Sequence, residues 1–333
     1  MLKVKLLTIE KVAVCYAALT TLLAAVLWPR LVDHEAVVLV RAGWLLVTVG
    51  LVAGGVCARR MWRLTPRQLL LTNVGRALGQ LTWLYYWYPD IYEFNRILPN
   101  QDHVFAACEQ RVFGCQPSVV FSQWLSGGVW SELFNLGYWS YYPMIFALAV
   151  AVFCQEWKRT PREWDAVVVP GQRPEAGSAF GRVTTITLLA FFCYYLIYLA
   201  LPVSGPQFYF QAVGMDEILN GHFPALGTYF SSHTEMLPAP GDANGLFYRM
   251  VTQTQAAGER PIAAFPSSHI GVSTIQVLLS RRYAPRVTWF LLPFWTLLCC
   301  ATVYIQAHYL LDALAGLLSA PLVLWVAGKV AGK

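Results

Sequence analysis

The sequence predicts an all-α integral membrane protein with about eight transmembrane helices and both termini cytoplasmic. Three observations lead to that class: composition, the length of the apolar runs and the placing of the basic residues. Of 333 residues, 57% are hydrophobic and only 13% charged, with a mean hydropathy of +0.48. A soluble domain carries about 25% charged residues. The net charge of +6 belongs to the loops between spans, and no basic stretch interleaved with aromatics offers a nucleic-acid surface.

Taken in order, the runs long enough to span a bilayer are about 12–29, 37–58, 68–88, 133–155, 183–203, 266–282, 286–306 and 310–328. The first resembles a signal peptide in position, but the apolar run continues past Ala24 and Ala25 to Trp28, which favours an uncleaved helix. The third is interrupted by Thr72, Asn73, Arg76 and Gln80, the pattern of a helix packed inside the protein. The sixth carries His269 as its ionisable group. With the N-terminus inside, the cytoplasmic segments hold seventeen Lys and Arg and the outer segments six, with Arg76 within a span.

Two outer loops are long, about 89–130 and 204–265. In the first, 103–114 is amphipathic and closes on Gly114, and 117–124 follows a proline; both read as short interfacial helices. Glu109 and Arg111 read as a solvated face of the first of them. In the second loop a turn at 202–206 precedes Phe208, Tyr209 and Phe210, which reads equally as a lid over a lipid substrate or as an aromatic belt. Six of the eight cysteines fall in or beside spans as small apolar fillers, while Cys108 and Cys115 share the first outer loop. His222 and His233 lack the Cys or carboxylate neighbours of a metal site, and no metal spacing occurs elsewhere.

The chemistry gathers in two short stretches, Phe265-Pro-Ser-Ser-His269 and His308-Tyr-Leu-Leu-Asp312. Each places a histidine at the mouth of an apolar run, where ionisable groups are costly and rarely idle. On one helix, spacing i,i+4 puts His308 and Asp312 on a common face, where the carboxylate accepts the ring N–H and fixes the tautomer. His308 then reads as a nucleophile or base with Asp312 as its orienter, and His269 as an independent acid/base. The predicted topology brings both to the outer side at one depth. A helix starting near Pro266 offers backbone N–H groups from Ser267, Ser268 and His269 as a phosphate cradle.

The pair of motifs resembles the second and third motifs of the type-2 phosphatidic acid phosphatase superfamily. The His-Tyr-x-x-Asp form is most similar to inositol phosphorylceramide synthase and the sphingolipid synthase branch. The resemblance implies a six-helix catalytic core at 65–333, preceded by two accessory transmembrane helices at 1–64. It also implies that His308 attacks phosphorus to form a phosphohistidine, that Asp312 orients it, and that His269 protonates the leaving group. The chain departs from the family pattern in two places. Ala301 and Thr302 stand where the third motif usually begins Ser-Arg, and only Gln253-x6-Arg260-Pro261 echoes the first motif. Arg260 is the expected phosphate ligand.

A site with one arginine and two histidines suits a singly charged phosphodiester better than a monoester. The leading expectation is therefore a membrane phosphotransferase. It moves a phospho-head group, such as inositol phosphate, from a glycerophospholipid to a ceramide-like alcohol. A lipid phosphate phosphatase acting on phosphatidate or polyprenyl pyrophosphate is the alternative, and a transporter or scaffold with histidines in a polar pathway is the third. Membrane lipids are the expected substrates, with no cofactor, no metal and no nucleic acid, and the oligomeric state open. The resemblance implies a bacterial inner membrane with a periplasmic site, or a Golgi-type membrane with a luminal one.

Overall fold

The computed structural model describes residues 5–62, 64–161 and 178–332, and every regular element among them is helical. The expected cytoplasmic residues Lys3, Arg63, Arg162, Arg173 and Lys333 lie outside the described residues. The helices are α1 (Thr8–Leu27), α2 (His34–Met61), α3 (Pro66–Thr82), α4 (Leu84–Asn95), α5 (Asp102–Phe113), α6 (Pro117–Trp124), α7 (Gly128–Trp139) and α8 (Tyr141–Arg159). They continue with α9 (Ala179–Ala200), α10 (Pro206–Val213), α11 (Met215–Leu219), α12 (Leu246–Gly258), α13 (Ser268–Tyr283), α14 (Pro285–Tyr304) and α15 (Leu310–Ala331).

Among the described residues five helices are long and apolar enough to cross a membrane: α1 with its 3-10 extension, α2, α9, α14 and α15. A sixth arises if α7 and α8, bent by 46° at Ser140, count as one broken span. The hydropathy reading of eight spans also used α3 and α13, which have 17 and 16 residues. Both fall short of the roughly 20 residues that a bilayer asks for. Gln276 of α13 donates to Thr187 of α9 at 3.0 Å, a polar contact inside the bundle. Several apolar helices of this kind fit an integral membrane protein.

The central span is α9. It buries 72% of its most apolar window and touches α1, α3, α4, α8, α13 and α15. Around it α13 packs between α14 and α15, and α7 lies along α14. Two ion pairs tie the first helices to this bundle. Arg76 of α3 makes a two-pronged pair with Glu10 of α1 at 2.8 and 2.6 Å, both side chains buried. Arg41 of α2 pairs with Asp90 of α4 at 2.7 Å. The expectation that α3 packs inside the protein follows from this geometry, because a buried guanidinium requires a matched acid.

The short helices expected at 103–114 and 117–124 are α5 and α6, and Gly114 ends α5 in the left-handed conformation at φ 71°. Arg111 is exposed as expected, but Glu109 is fully buried, so that half of the solvated-face reading is corrected. The reason is helical phase: Asp102, Ala106 and Glu109, at i, i+4 and i+7, form the buried face of α5.

Candidate active site

His269 is placed by the start of α13. Ser267 is its N-cap, with the hydroxyl accepting from the Ile270 N–H at 3.4 Å. Tyr198 of α9 clamps the turn before it: its hydroxyl donates to the Pro266 carbonyl at 2.7 Å and accepts the Ser268 N–H at 2.9 Å. The Ser267 N–H donates to the Asp312 carbonyl at 3.0 Å. The N–H groups of Ser267 and Ser268, expected to cradle phosphate, are therefore engaged in holding the turn. The His269 ring is flanked by Tyr138 at 4.8 Å and Tyr141 at 4.5 Å between centroids. These two tyrosines come from either side of the α7–α8 bend.

His308 sits two residues before α15 rather than on it. Its N–H donates to the Thr302 carbonyl at 3.0 Å, and Gln306, at φ 63°, turns the chain between α14 and α15. Its Nδ1 lies 2.9 Å from the Ala264 carbonyl oxygen. A carbonyl only accepts, so this contact assigns the proton to Nδ1 and leaves the lone pair on Nε2. Nε2 is 3.3 Å from Nδ1 of His269.

Asp312 takes a different position from the one its spacing predicts. Because His308 precedes the helix, the two do not share a helix face. The Asp312 Oδ2 accepts the Tyr309 N–H at 2.9 Å and stands 3.7 Å from His308 Nδ1. That is beyond a hydrogen bond but within ion-pair range, so Ala264 supplies the direct orienting contact and Asp312 a buried negative charge beside it. Beside Asp312, Oε1 of Glu109 accepts the Leu311 N–H at 3.0 Å. Two carboxylates therefore serve the exposed N–H groups of the first turn of α15.

The loop at 202–205 lies beside the site, with Ser204 in the cleft wall. Asp102 accepts from the N–H groups of Ser204 and Gly205 at 2.7 and 2.8 Å and from the Asn100 side chain. Gly205 has φ 94°, and a Cβ there would lie 2.5 Å from the Ala307 carbonyl oxygen, so this crossing beside His308 admits only glycine. Burial pushes the Asp102 carboxyl up to about 6 against the pull of those hydrogen bonds. Burial likewise pushes Glu109 up to about 7.

Both histidines line a narrow cleft of about 20 Å³, whose walls include Tyr88, Tyr138, Phe208 and Glu259. Phe208 is thus in the cleft wall. Tyr209 is not: it is buried in an outer cluster with Phe210 and Tyr309, its hydroxyl donating to the Pro224 carbonyl at 2.9 Å. Arg260 stands beside the cleft without lining it, its guanidinium donating to the Glu259 carbonyl at 2.9 Å. Glu259 is half-buried and accepts from the Tyr88 hydroxyl at 3.1 Å. Burial raises its carboxyl, while the Tyr88 hydrogen bond, His308 and Arg260 act in the opposite sense. His222 and His233 are exposed loop residues, the former 2.8 Å from Glu217. No cluster of three metal-ligating side chains occurs among the described residues. Cys108 and Cys115 are both free thiols.

Reading the residues alone assigned Glu109 to a solvated face and did not single out Glu259, Tyr138, Tyr141 or the Ala264 carbonyl. The buried phase of α5 was a usable signal for Glu109. Nothing local marks the others, which reach the site from distant parts of the chain.

Residues 166–326, just under half of the chain, match the family model described as PAP2 superfamily. That stretch contains His269, His308 and Asp312, and the match supports the superfamily resemblance seen in the motifs. It supports an enzyme of the lipid phosphatase or phosphotransferase kind. No curated protein and no solved structure matches the chain.

Proposed function

We propose that the protein is a membrane phosphotransferase that moves a phospho-head group from a glycerophospholipid to a ceramide-like lipid alcohol through His308. The observation that carries this reading is the proton placement on His308: Nδ1 is committed to the Ala264 carbonyl, which leaves Nε2 as a nucleophile facing His269. Nε2 attacks phosphorus, a P–N bond forms, the P–O bond to the diacylglycerol breaks, and His269, which takes up a proton beside the bound phosphodiester anion, gives that proton to the departing oxygen. The acceptor hydroxyl then loses its proton to His269 as its oxygen attacks phosphorus, and the P–N bond breaks to restore His308. Asp312, at 3.7 Å, stabilises the positive charge that His308 carries in the intermediate. The two rings are in contact at 3.3 Å, so an entering phosphoryl group replaces their mutual contact with contacts to its own oxygens.

Charge supports a diester over a monoester. Among the described residues no Lys or Arg lines the cleft, and Glu259 adds a carboxyl, so a dianionic monoester meets too little positive charge. The test is to supply purified protein with phosphodiester lipids and trap acid-labile, His308-dependent phosphoprotein, then to add a ceramide-like alcohol. Head-group transfer should accelerate on addition of the alcohol and vanish in His308→Ala. Fast phosphate release from phosphatidate, indifferent to added alcohol, would instead assign the chain to the lipid phosphate phosphatases.

A further inference from the structure

The two histidines of the site are served differently. His308 has the Ala264 carbonyl at 2.9 Å and the Asp312 carboxylate at 3.7 Å. Among the described residues the histidine–carboxylate pairs are those of His308 and His222, and His269 has none. Its Nδ1 lies 3.3 Å from Nε2 of His308, which bears a lone pair, so Nδ1 of His269 is the donor. What surrounds the His269 ring instead is aromatic. The Tyr138 ring stacks on it at 4.8 Å with 26° between planes, and the Tyr141 ring lies tilted at 4.5 Å.

The fold fixes this pair of tyrosines. A Cβ on Gly137 would come within 2.8 Å of the Leu297 carbonyl oxygen, so α7 lies backbone to backbone on α14 just before Tyr138. The chain then bends by 46° at Ser140, whose hydroxyl donates to the Gly137 carbonyl at 2.6 Å. Past the bend, the Tyr141 hydroxyl donates to the Ser268 carbonyl at 3.4 Å, next to the histidine. The charged groups that face this region from other elements are Asp312 of α15 and, after α12, Glu259 with Arg260 beside it. Tyr88 of α4, Tyr198 of α9 and Cys299 of α14 bring uncharged hydroxyl and thiol groups.

Resting on the His308 reading above, we propose that Tyr138 and Tyr141 are positioning residues that stabilise the imidazolium form of His269 and so keep on it the proton given to the leaving oxygen. Aromatic faces attract a cation through their quadrupoles, more strongly where water is excluded. Neutral imidazole gains nothing from that field, so the two rings favour the protonated form. A carboxylate in their place would do the same but would also repel the phosphodiester anion. The rings stabilise the acid without adding negative charge to the cleft.

The experiment follows phosphoprotein formation in a single turnover at saturating donor, across pH, with two phosphodiesters. One is a glycerophospholipid, whose alkoxide leaves only with a proton; the other is a nitrophenyl diester, whose leaving group departs unassisted. With the glycerophospholipid, the alkaline limb reports loss of the His269 proton in the complex. In Tyr138→Leu and Tyr141→Leu that limb should move to lower pH by about half a unit to one unit. The nitrophenyl-to-glycerophospholipid rate ratio on that limb should rise by the matching factor, about threefold to tenfold. Tyr138→Phe and Tyr141→Phe keep the ring and should keep the wild-type limb. A Leu limb equal to that of wild type, a Phe limb displaced as far as Leu, or equal slowing with both donors overturns the inference and leaves the His308 reading intact. A limb that moves in Glu259→Gln but not in the Leu variants would assign the effect to that carboxylate and overturn it equally. Absence of His308-linked phosphoprotein with both donors in wild type would instead overturn the phosphotransferase reading itself.

Discussion

Glu109 joins the outer helix α5 to the first turn of the helix that carries Asp312, and its carboxyl is held up to about 7 by burial. The protonated form is thus favoured more in the folded than in the unfolded chain, where the ordinary value is 4.5. The stabilising contribution of that proton is complete below the unfolded value and is lost as pH rises through about 7. Melting temperature in detergent should therefore decline between about pH 5 and pH 7.5, and Glu109→Gln should flatten that decline. Asp102, raised to about 6, titrates across an overlapping window, so the comparison lies between the variant and wild type and not in the wild-type slope alone. An identical slope in both proteins would remove Glu109 from the coupling.

At the level of helices, the site depends on how closely α15 approaches the start of α13. A Cβ on Gly316 would lie 2.4 Å from the Ser267 carbonyl oxygen, a backbone atom that cannot rotate away. Gly316→Ala should push α15 off α13 and separate Asp312 from the turn whose N–H it holds through its own carbonyl. A displacement near 1 Å at a reacting group costs about a hundredfold in rate. The expected outcome is a folded protein with turnover reduced by that order, measured beside an unchanged elution profile. The α1–α3 junction gives a different outcome. Arg76→Met strands a buried Glu10 and should cost about 3–5 kcal/mol of stability, while adding Glu10→Gln should recover most of the loss. A double variant no more stable than Arg76→Met would exclude a charge-pairing origin.

For the molecule as a whole, the family match and the cleft do not coincide. The match begins at residue 166, yet α4, α5, α7 and α8 contribute Tyr88, Glu109, Tyr138 and Tyr141 to the cleft and its surround. The first half of the chain therefore belongs to the site. From the charge asymmetry we propose that the site's loops face the outside of the cell or a lumen, and labelling tests this. Ala243, in an exposed turn before α12, should react as Ala243→Cys with a membrane-impermeant maleimide on intact cells or sealed vesicles of native orientation. Labelling that requires permeabilisation would reverse the orientation.

The amino-acid sequence by itself determined the membrane class, the positions of most helices and the two histidine motifs, because apolar periodicity, caps and short motifs are local properties of the chain. Ser267 before α13, Gly114 after α5 and the break from lipid-like composition at Arg76 were all readable in that way. Folding in three dimensions decided which groups meet. Ala264 reaches His308 across 44 positions and Glu109 reaches Leu311 across 202. The same packing turned the N–H groups of Ser267 and Ser268 inward and left Arg260 at the edge of the cleft. Such contacts depend on the path of loops and the phase of helices about their axes. A buried carboxylate on an outer helix and a solvated one differ only in that phase, and the neighbouring helices set it.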